Sequence, residues 1–584
     1  MPALLAALAL LGGCTVARAP APPSPPTQGA AGAAGAAQMA ATAHPLATRA
    51  ALAMLERGGS AVDATVAAQM VLGLVESQSS GVGGGTFVLM WDEQARRLSA
   101  LDGLAAAPVR VTASLRTDTD GRLLPSEPSQ RGGRTVGVPG TLAVLAEAHR
   151  RAGRLPWSVL VEPAIEAAEQ GFPMPRYMHS ILALADDQAA RAQMAPMYFD
   201  AAGRLLPVGA RVLNPAYAQT MRRLAAGGPA AFLADGAAAR LVAAAQGGFR
   251  ASLMTQADLQ AYRPVEREPV CAPFLAYRVC TMSPPSFGGL AVLQTLQMVQ
   301  ARAGTRHDFS DPAYVHLYAE AGKLAQADRR LWVGDPDFVS VPTAALAAPG
   351  YARERAQLID PARAHPSPAA GQPAPRVAGL VPDGGSTTGE TSQIVVADRQ
   401  GNVVSVTTTN NLNFGARLMV DGFVLNNAMT NFSAAPRAGE TLANQMAPRK
   451  RPVTSMAPTI VFDAQGRPVL AGGAAGGGPI VDYVATALIE MLANGRSPAQ
   501  TLGLGHVSVA LPGKVQLEAG TPAAALAPAL AARGHDVEQV TLNSGAAFIR
   551  LGPAGWTGAA DPRRDGVAAG STAEVPAAAG ATAR

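Results

Sequence analysis

Cysteine is scarce in this chain of 584 residues, which holds only Cys14, Cys271 and Cys280. Three thiols exclude a disulfide-dense scaffold and a four-cysteine zinc site. Charged side chains are scarce too, 15% of the sequence where about a quarter is usual. Lysine is nearly missing, with Lys323, Lys450 and Lys514 alone. Lys+Arg number 47 against 42 Asp+Glu, and the densest basic run is Arg449-Lys450-Arg451. Nucleic-acid surfaces concentrate basic charge, so no nucleic-acid partner is expected. Signature motifs are missing as well: no H-E-x-x-H, no G-x-x-x-x-G-K-[ST] loop, no G-x-S-x-G elbow. The eight histidines show no metal-ligand spacing. Zincins, P-loop enzymes and α/β-hydrolases are therefore disfavoured, and no metal or organic cofactor is expected.

What is present is apolar: 48% hydrophobic residues, enough for a sizeable core, with 61 Gly and 47 Pro. Leu4 to Leu11 form a short apolar run followed by Leu11-Gly12-Gly13-Cys14. It is too short to span a bilayer and suits the apolar segment of a signal peptide. Small residues before a cysteine resemble a bacterial lipoprotein signal, which implies residues 1–13 as the signal and Cys14 as the lipidated residue. No Lys or Arg precedes the run, so an ordinary secretory signal is the alternative. Either route places the protein outside the cytoplasm, in the periplasm, touching a membrane only through the lipid anchor. Residues 14–40, rich in Pro, Ala and Gly, read as a tether. Export permits disulfides. Cys271 and Cys280 lie in two short β-like stretches of EPVCAPFLAYRVCTM, either bridged across strands or as two buried thiols.

From His44 to Val75 apolar residues recur at helical spacing, in two pieces around Arg57-Gly58-Gly59-Ser60. A glycine-rich stretch, Ser79 to Gly85, leads into the strand-like Thr86 to Trp91; the order of strand and helix is wrong for a dinucleotide fold. Thr135 to Arg355 reads mostly as helices, and Asp360 to Gly389 as an aperiodic, mobile connector. Beyond it two β-branched runs, Gln393 to Ala397 and Val403 to Thr407, flank the turn Asp398-Arg399-Gln400-Gly401-Asn402. A helix is expected at Pro479 to Leu492 behind Gly476-Gly477-Gly478, and the final fifteen residues are expected to be disordered. A helical half and a β-rich half predict a layered α/β protein made from two chain segments.

Around these strands hydroxyls and amides gather: Thr391-Ser392, Thr407 to Asn411, Asn426-Asn427 and Thr454-Ser455. Each is at home on an exposed strand. The functional alternative is a threonine nucleophile whose base is its own α-amino group, freed when the chain is cut before it. Such a site also needs backbone N–H donors for an oxyanion. Spacing alone does not choose between these readings.

The blocks GGSAVDATVAAQMVLGLVESQSSGVGGGTFVLM, VGVPGTLAVLAEAHRRAGRLPW, SPPSFGGLAVLQTLQMVQ, TSQIVVADRQGNVVSVTTTNNLNFG, VLNNAMTNFS and RPVTSMAPTIV do. In type and order they resemble the γ-glutamyltranspeptidase (glutathione hydrolase) family of N-terminal nucleophile hydrolases, from about Ala41 to Gly545. The resemblance implies an αββα sandwich, an α/β (α+β) layered fold. It is made as a precursor and cut between Glu390 and Thr391 into a large subunit (41–390) and a small one (391–584). Thr391 matches the nucleophile, which attacks the Glu390 carbonyl and later, assisted by its freed amine, a small-molecule amide. Thr409 matches a second threonine that hydrogen-bonds the nucleophile, and Gly476 and Gly477 match the pair whose N–H groups hold the oxyanion.

The implied substrate pocket departs from the family. Where members carry an arginine for the substrate α-carboxylate, this chain has Leu104; the accompanying hydroxyls match Thr454 and Ser455. The three positions that hold the α-amino group match Asn411, Ala428 and Asn431, where the family has asparagine, glutamine or glutamate, and aspartate. The expected function is therefore acyl transfer or hydrolysis on γ-glutamyl amides such as glutathione, or on related acyl amides. The alternatives are a cephalosporin-acylase-like enzyme and a non-catalytic exported lipoprotein that kept the fold.

Overall fold

In the computed structural model the described residues are 33–571, apart from 113–129, 185–192, 195, 248, 305, 376, 384–388, 435 and 438. Cys14, the signal segment and most of the tether lie outside them. The globular part begins earlier than expected, because the end of the tether is strand. Ala33–Ala36 (β1) and Gln38–Thr42 (β2) each join a different sheet. Small side chains let this stretch pass between layers, where a composition reading sees only a linker.

The other strands of the two large sheets are Gly85–Asp92 (β3), Arg97–Gly103 (β4), Val265–Arg267 (β5), Val270–Phe274 (β6) and Tyr277–Thr281 (β7). Then come Glu390–Ala397 (β8), Val403–Asn411 (β9), Thr459–Phe462 (β10) and Pro468–Gly473 (β11). Ala547–Gly552 (β12), Gly555–Ala560 (β13) and Val567–Ser571 (β14) complete them. They form two seven-stranded sheets, ordered β14-β2-β8-β9-β3-β4-β5 and β1-β13-β12-β11-β10-β7-β6. Every pairing within them is antiparallel.

Side-chain alternation along the central strands defines the layers. Ile394, Val396, Val404 and Val406 point into a core shared with helices Pro45–Glu56 (α1) and Ala61–Val75 (α2). Val395, Ala397 and Val403 point the other way, into a core between the sheets with Phe87, Ile460, Phe462 and Ile549. On the far side, helices Phe287–Ala303, Pro312–Trp332 and Ile480–Leu492 cover the second sheet. Three apolar layers between four structural ones make the αββα sandwich. Both faces of each sheet are buried, which is why strands such as Gln393 to Ala397 read as nearly continuous apolar runs. The helix α2 is buried on every side and starts at a Ser60–Asp63 capping box.

Among its described residues from Asp360 to Asp383 the connector has no helix or strand, and long-range hydrogen bonds tie it down: Gly371 N donates to Asp328, His365 N to Glu320 and Asp383 N to the Arg330 carbonyl. Polar anchors on the helix Pro312–Trp332 hold it, and such long-range partners leave no local periodicity. Of the final fifteen residues, Gly570 and Ser571 are the end of strand β14, and residues 572–584 lie outside the described set. Cys271 and Cys280 face each other across β6 and β7 and are joined by a disulfide.

One buried ion network fixes the sheet edge nearest the glycine-rich stretch. The Asp102 carboxylate faces Arg267 at 3.2 Å and Arg451 at 3.4 Å, all three buried. Asp102→Ala removes one of the anions around these guanidinium groups while Arg267 keeps Asp335 and Asp337, so it is expected to lower unfolding free energy by about 1.5–3 kcal/mol. A fall in the urea midpoint at unchanged slope checks this.

Candidate active site

The β8–β9 hairpin turns at Asp398 to Asn402 and stays in register from Ala397↔Val403 to Ser392↔Thr408. There the register slips: the next pair is Glu390↔Asn411, so Thr391 stands alone against Thr409 and Asn410. This is a β-bulge, a device that re-aims a side chain. Asn411 takes a left-handed φ of 81° to close it. Thr391 is buried, and its hydroxyl makes no hydrogen bond to a described residue. The Thr409 hydroxyl donates to the carbonyl oxygen of Glu390 and accepts from the Asn411 N–H at 2.7 Å. Resemblance paired Thr409 with the nucleophile itself; before any cut, it grips the carbonyl that the nucleophile would attack.

Glycines let neighbouring chain come close. A Cβ at Gly84 would stand 2.3 Å from the Thr409 carbonyl oxygen. Gly85 pairs with Thr409, and a Cβ there would stand 3.0 Å from the Leu104 Cα. Leu104, Gly85 and Thr409 thus form one row across the sheet end, with a bare strip between the two side chains. Leu104 is buried in the inter-sheet core with Met282 and Met456.

From the second sheet, β11 meets the nucleophile strand at Gly473, where a Cβ would lie 2.5 Å from Gln393 Oε1. Beyond it Gly476 and Gly477 have φ of 111° and 69°, angles that side chains resist. Their N–H groups have no partner among the described residues. Ser455 donates to the Gly477 carbonyl at 2.7 Å and so braces this loop. Thr454 accepts from the Met456 N–H. Asn411 spends its amide on the Asn427 carbonyl and Thr430. Asn431 is half-buried near Ala428, its carbonyl held by Asn444. The structure therefore brings Glu390, Thr391, Thr409 and Asn411 together, sets Leu104 in the same row, and ties Ser455 to the Gly476–Gly477 loop.

Sequence reasoning missed the groups behind the nucleophile strand. Ser80 donates to Ser392, which donates to Glu76 at 2.6 Å. Burial pushes the Glu76 carboxyl from 4.5 up to about 8, against the opposing pull of Arg564 and the Ser392 hydrogen bond. The folded protein thus keeps a proton that the unfolded chain releases, and stability is lost as pH rises from about 4.5 to about 8. Glu76→Gln is expected to remove that slope, at most about 1.4 kcal/mol per pH unit, from thermal midpoints taken across the window.

Arg564 is fully buried, with Nη1 on the Thr391 carbonyl at 2.9 Å and Nη2 on Glu390 Oε2 at 2.6 Å. Its guanidinium lies 4.3 Å from the ring centre of Tyr177, whose hydroxyl donates to Glu390 Oε1 at 2.7 Å. The run Asp561-Pro562-Arg563-Arg564-Asp565 was the available signal: four charges in five residues of a charge-poor chain.

Among the described residues one group has metal-ligand proximity, His316, Glu320 and His535, with ligand atoms within 4.8 Å of one another. His316 and His535 lie far apart in sequence, beyond any spacing rule. Their nitrogens bond one another, the Asp360 carbonyl and the Lys323 ammonium, so the cluster is a satisfied polar network with a cation already inside it.

Comparison with known proteins adds the following. The family profile described as gamma-glutamyltranspeptidase matches residues 47–571. A Bacillus subtilis glutathione hydrolase proenzyme is 35% identical over 454 residues, 76% of each chain. An acylase ACY 1 proenzyme of a Pseudomonas species is 34% identical over 544 residues, 90% of this chain and 92% of its own. The crystal structure of a cephalosporin acylase from Bacillus halodurans superposes with a TM-score of 0.80 at 27% identity, covering 95% of this chain and 99% of that one.

Proposed function

The chain belongs to the gamma-glutamyltranspeptidase family, and from that premise we propose that it is a self-cleaving threonine amidohydrolase or acyltransferase. Its pocket is turned from γ-glutamyl groups toward acyl groups without the amino-acid zwitterion. The observation that carries the reading is the bulge: a buried Thr391 hydroxyl with no hydrogen bond among the described residues, beside a carbonyl already polarised by Thr409.

In the first step Thr391 Oγ attacks the Glu390 carbonyl carbon, the C–N bond breaks, and the hydroxyl proton passes to the departing amine. Water then hydrolyses the ester, leaving a Glu390 carboxylate and a Thr391 with free hydroxyl and α-amine. That amine serves as base when the hydroxyl attacks an amide substrate, and the Gly476 and Gly477 N–H groups supply oxyanion donors. The acyl ester passes to water or to an amine. Export is part of the proposal, and the Cys271–Cys280 disulfide favours an oxidising compartment.

Leu104 decides the acyl preference. It holds an apolar side chain in the row of Thr409, where a guanidinium would grip an α-carboxylate. Adding Leu104→Arg and Asn431→Asp together is expected to raise kcat/KM for a γ-glutamyl anilide by roughly 30- to 1000-fold, the worth of one desolvated bidentate contact. Efficient glutathione hydrolysis by the unmodified protein would overturn the shifted pocket. γ-Glutamyl amides are the second reading, favoured by the retained hydroxyls of Thr454 and Ser455.

A further inference from the structure

The two halves of the candidate site come from different sheets, and one short segment touches both. Beyond the last β11–β12 pair, Gly473↔Ala547, a single bond runs from the Ala475 N–H to the Ser544 carbonyl at 2.8 Å. One residue earlier, the Asn543 carbonyl accepts from Arg564 Nη2 at 3.2 Å. That guanidinium also holds Glu390 Oε2 and the Thr391 carbonyl. One residue later, Gly545 has a φ of 49°, and a Cβ there would stand 2.5 Å from Arg564 Nε. Asn543 to Gly545 therefore runs as a strap between the loop of Gly476 and Gly477 and the nucleophile strand.

The strap is itself held from behind. His506 Nε2 and the Ser544 hydroxyl lie 2.8 Å apart, and the His506 main-chain N–H donates to Glu518 at 2.9 Å. The Tyr483 ring packs on His506 with centres 4.4 Å apart. A Cβ at Gly476 would stand 3.0 Å from that tyrosine ring and 3.0 Å from the Asn543 carbonyl oxygen, so the glycine is boxed between Tyr483 and the strap. Ser544, His506 and the nearby Asp561 have the residue types of a catalytic triad but not its arrangement. Asp561 stands 4.0 Å from Nε2, the nitrogen that faces Ser544, whereas a triad needs its acid on the other ring nitrogen. Ser544 is also fully buried. It is placed to hold, not to attack.

Backbone donors stabilise an oxyanion only while they are aimed where the charge develops. The Gly476 and Gly477 N–H groups have no partner among the described residues, so neighbouring anchors set their aim. Ser455 holds the Gly477 carbonyl on one side, and the Ser544 carbonyl holds the Ala475 N–H on the other. Resting on the threonine-hydrolase reading above, we propose that Ser544, fixed by His506, is a positioning residue that sets the Gly476–Gly477 donors against Thr391 through the Arg564-bound strap. Amide turnover depends on that aim more than self-cleavage does, because the Glu390 oxygen already accepts from Thr409.

Ser544→Ala removes the hydroxyl and keeps the carbonyl that binds Ala475. The self-cleaved protein, its state verified by intact mass, is assayed with the p-nitroanilides of γ-glutamate and of pentanoic acid. The variant is expected to lose about tenfold in kcat with KM changed by less than about twofold, part of the roughly 100- to 1000-fold that an oxyanion donor carries. The half-time of its self-cleavage should lengthen by less than kcat falls. His506→Ala should repeat this pattern, and His506→Gln, whose amide reaches toward the place of Nε2, should restore most of kcat. Residue-resolved hydrogen exchange needs neither substrate nor variant: in the unmodified protein the Ala475 amide should exchange at least about 100-fold more slowly than those of Gly476 and Gly477. Ala475 exchanging as fast as the two glycines overturns the positioning role, and so does a Ser544→Ala loss that falls on KM or falls equally on cutting and turnover. Each of these outcomes leaves the threonine hydrolase standing. An unmodified protein that neither cuts itself nor turns over either anilide overturns the hydrolase and the positioning role together.

Discussion

Thr391→Ala is expected to yield one uncut chain, where the unmodified protein is expected to yield two fragments, the smaller beginning at Thr391. No other hydroxyl takes over, because Thr409 is engaged with the Glu390 carbonyl and the Asn411 N–H, and Ser392 with Glu76. Amide turnover should fall with cutting, by on the order of a million-fold, as when a covalent nucleophile is removed. The fold should survive, since Arg564 binds the Thr391 main-chain carbonyl, which alanine retains. Thr391→Ser keeps the hydroxyl and is expected to cut, so a mass spectrum of the three proteins side by side checks both halves. An unmodified protein that stays whole would mean the site no longer supports self-attack, and the non-catalytic reading would replace the enzyme.

What the sequence made legible follows the range of the interactions. The β8–β9 hairpin and helix α2 were readable because turn residues and apolar runs are local signals. Thr391 and the Gly476–Gly477 pair came through resemblance, since a bulge depends on register between two strands and leaves no pattern in either one. The two ends of the chain were misjudged for one reason: Ala33–Ala36 and Val567–Ser571 are poor in large apolar residues but find partners across sheets. Arg564 and Tyr177 stayed hidden because their meaning is a contact with Glu390, 174 and 213 residues away in sequence. The connector's anchors are hidden for the same reason, being single hydrogen bonds to the helix Pro312–Trp332.

The bulge contact itself predicts the second large effect. When Thr391 Oγ attacks, negative charge grows on the Glu390 oxygen, and that oxygen already accepts from Thr409. A donor aimed at developing charge strengthens as the transition state forms, and losing one such donor typically costs about 100- to 1000-fold in rate. Thr409→Val keeps the branched shape and removes the donor, so the half-time of self-cleavage is expected to lengthen by about that factor. Thr409→Ser should restore most of it. Valine also orphans the Asn411 N–H, so a purely structural role for Thr409 predicts something else: a lower thermal midpoint with cutting at the normal rate. The slow, eventually cut Val variant is informative in its own right. On the proposed mechanism amide turnover draws on the Gly476 and Gly477 N–H groups as well as Thr409, so the loss in kcat after cutting should be smaller than the loss in cutting rate. Equal losses would mean that both reactions lean on the Thr409 hydroxyl alone.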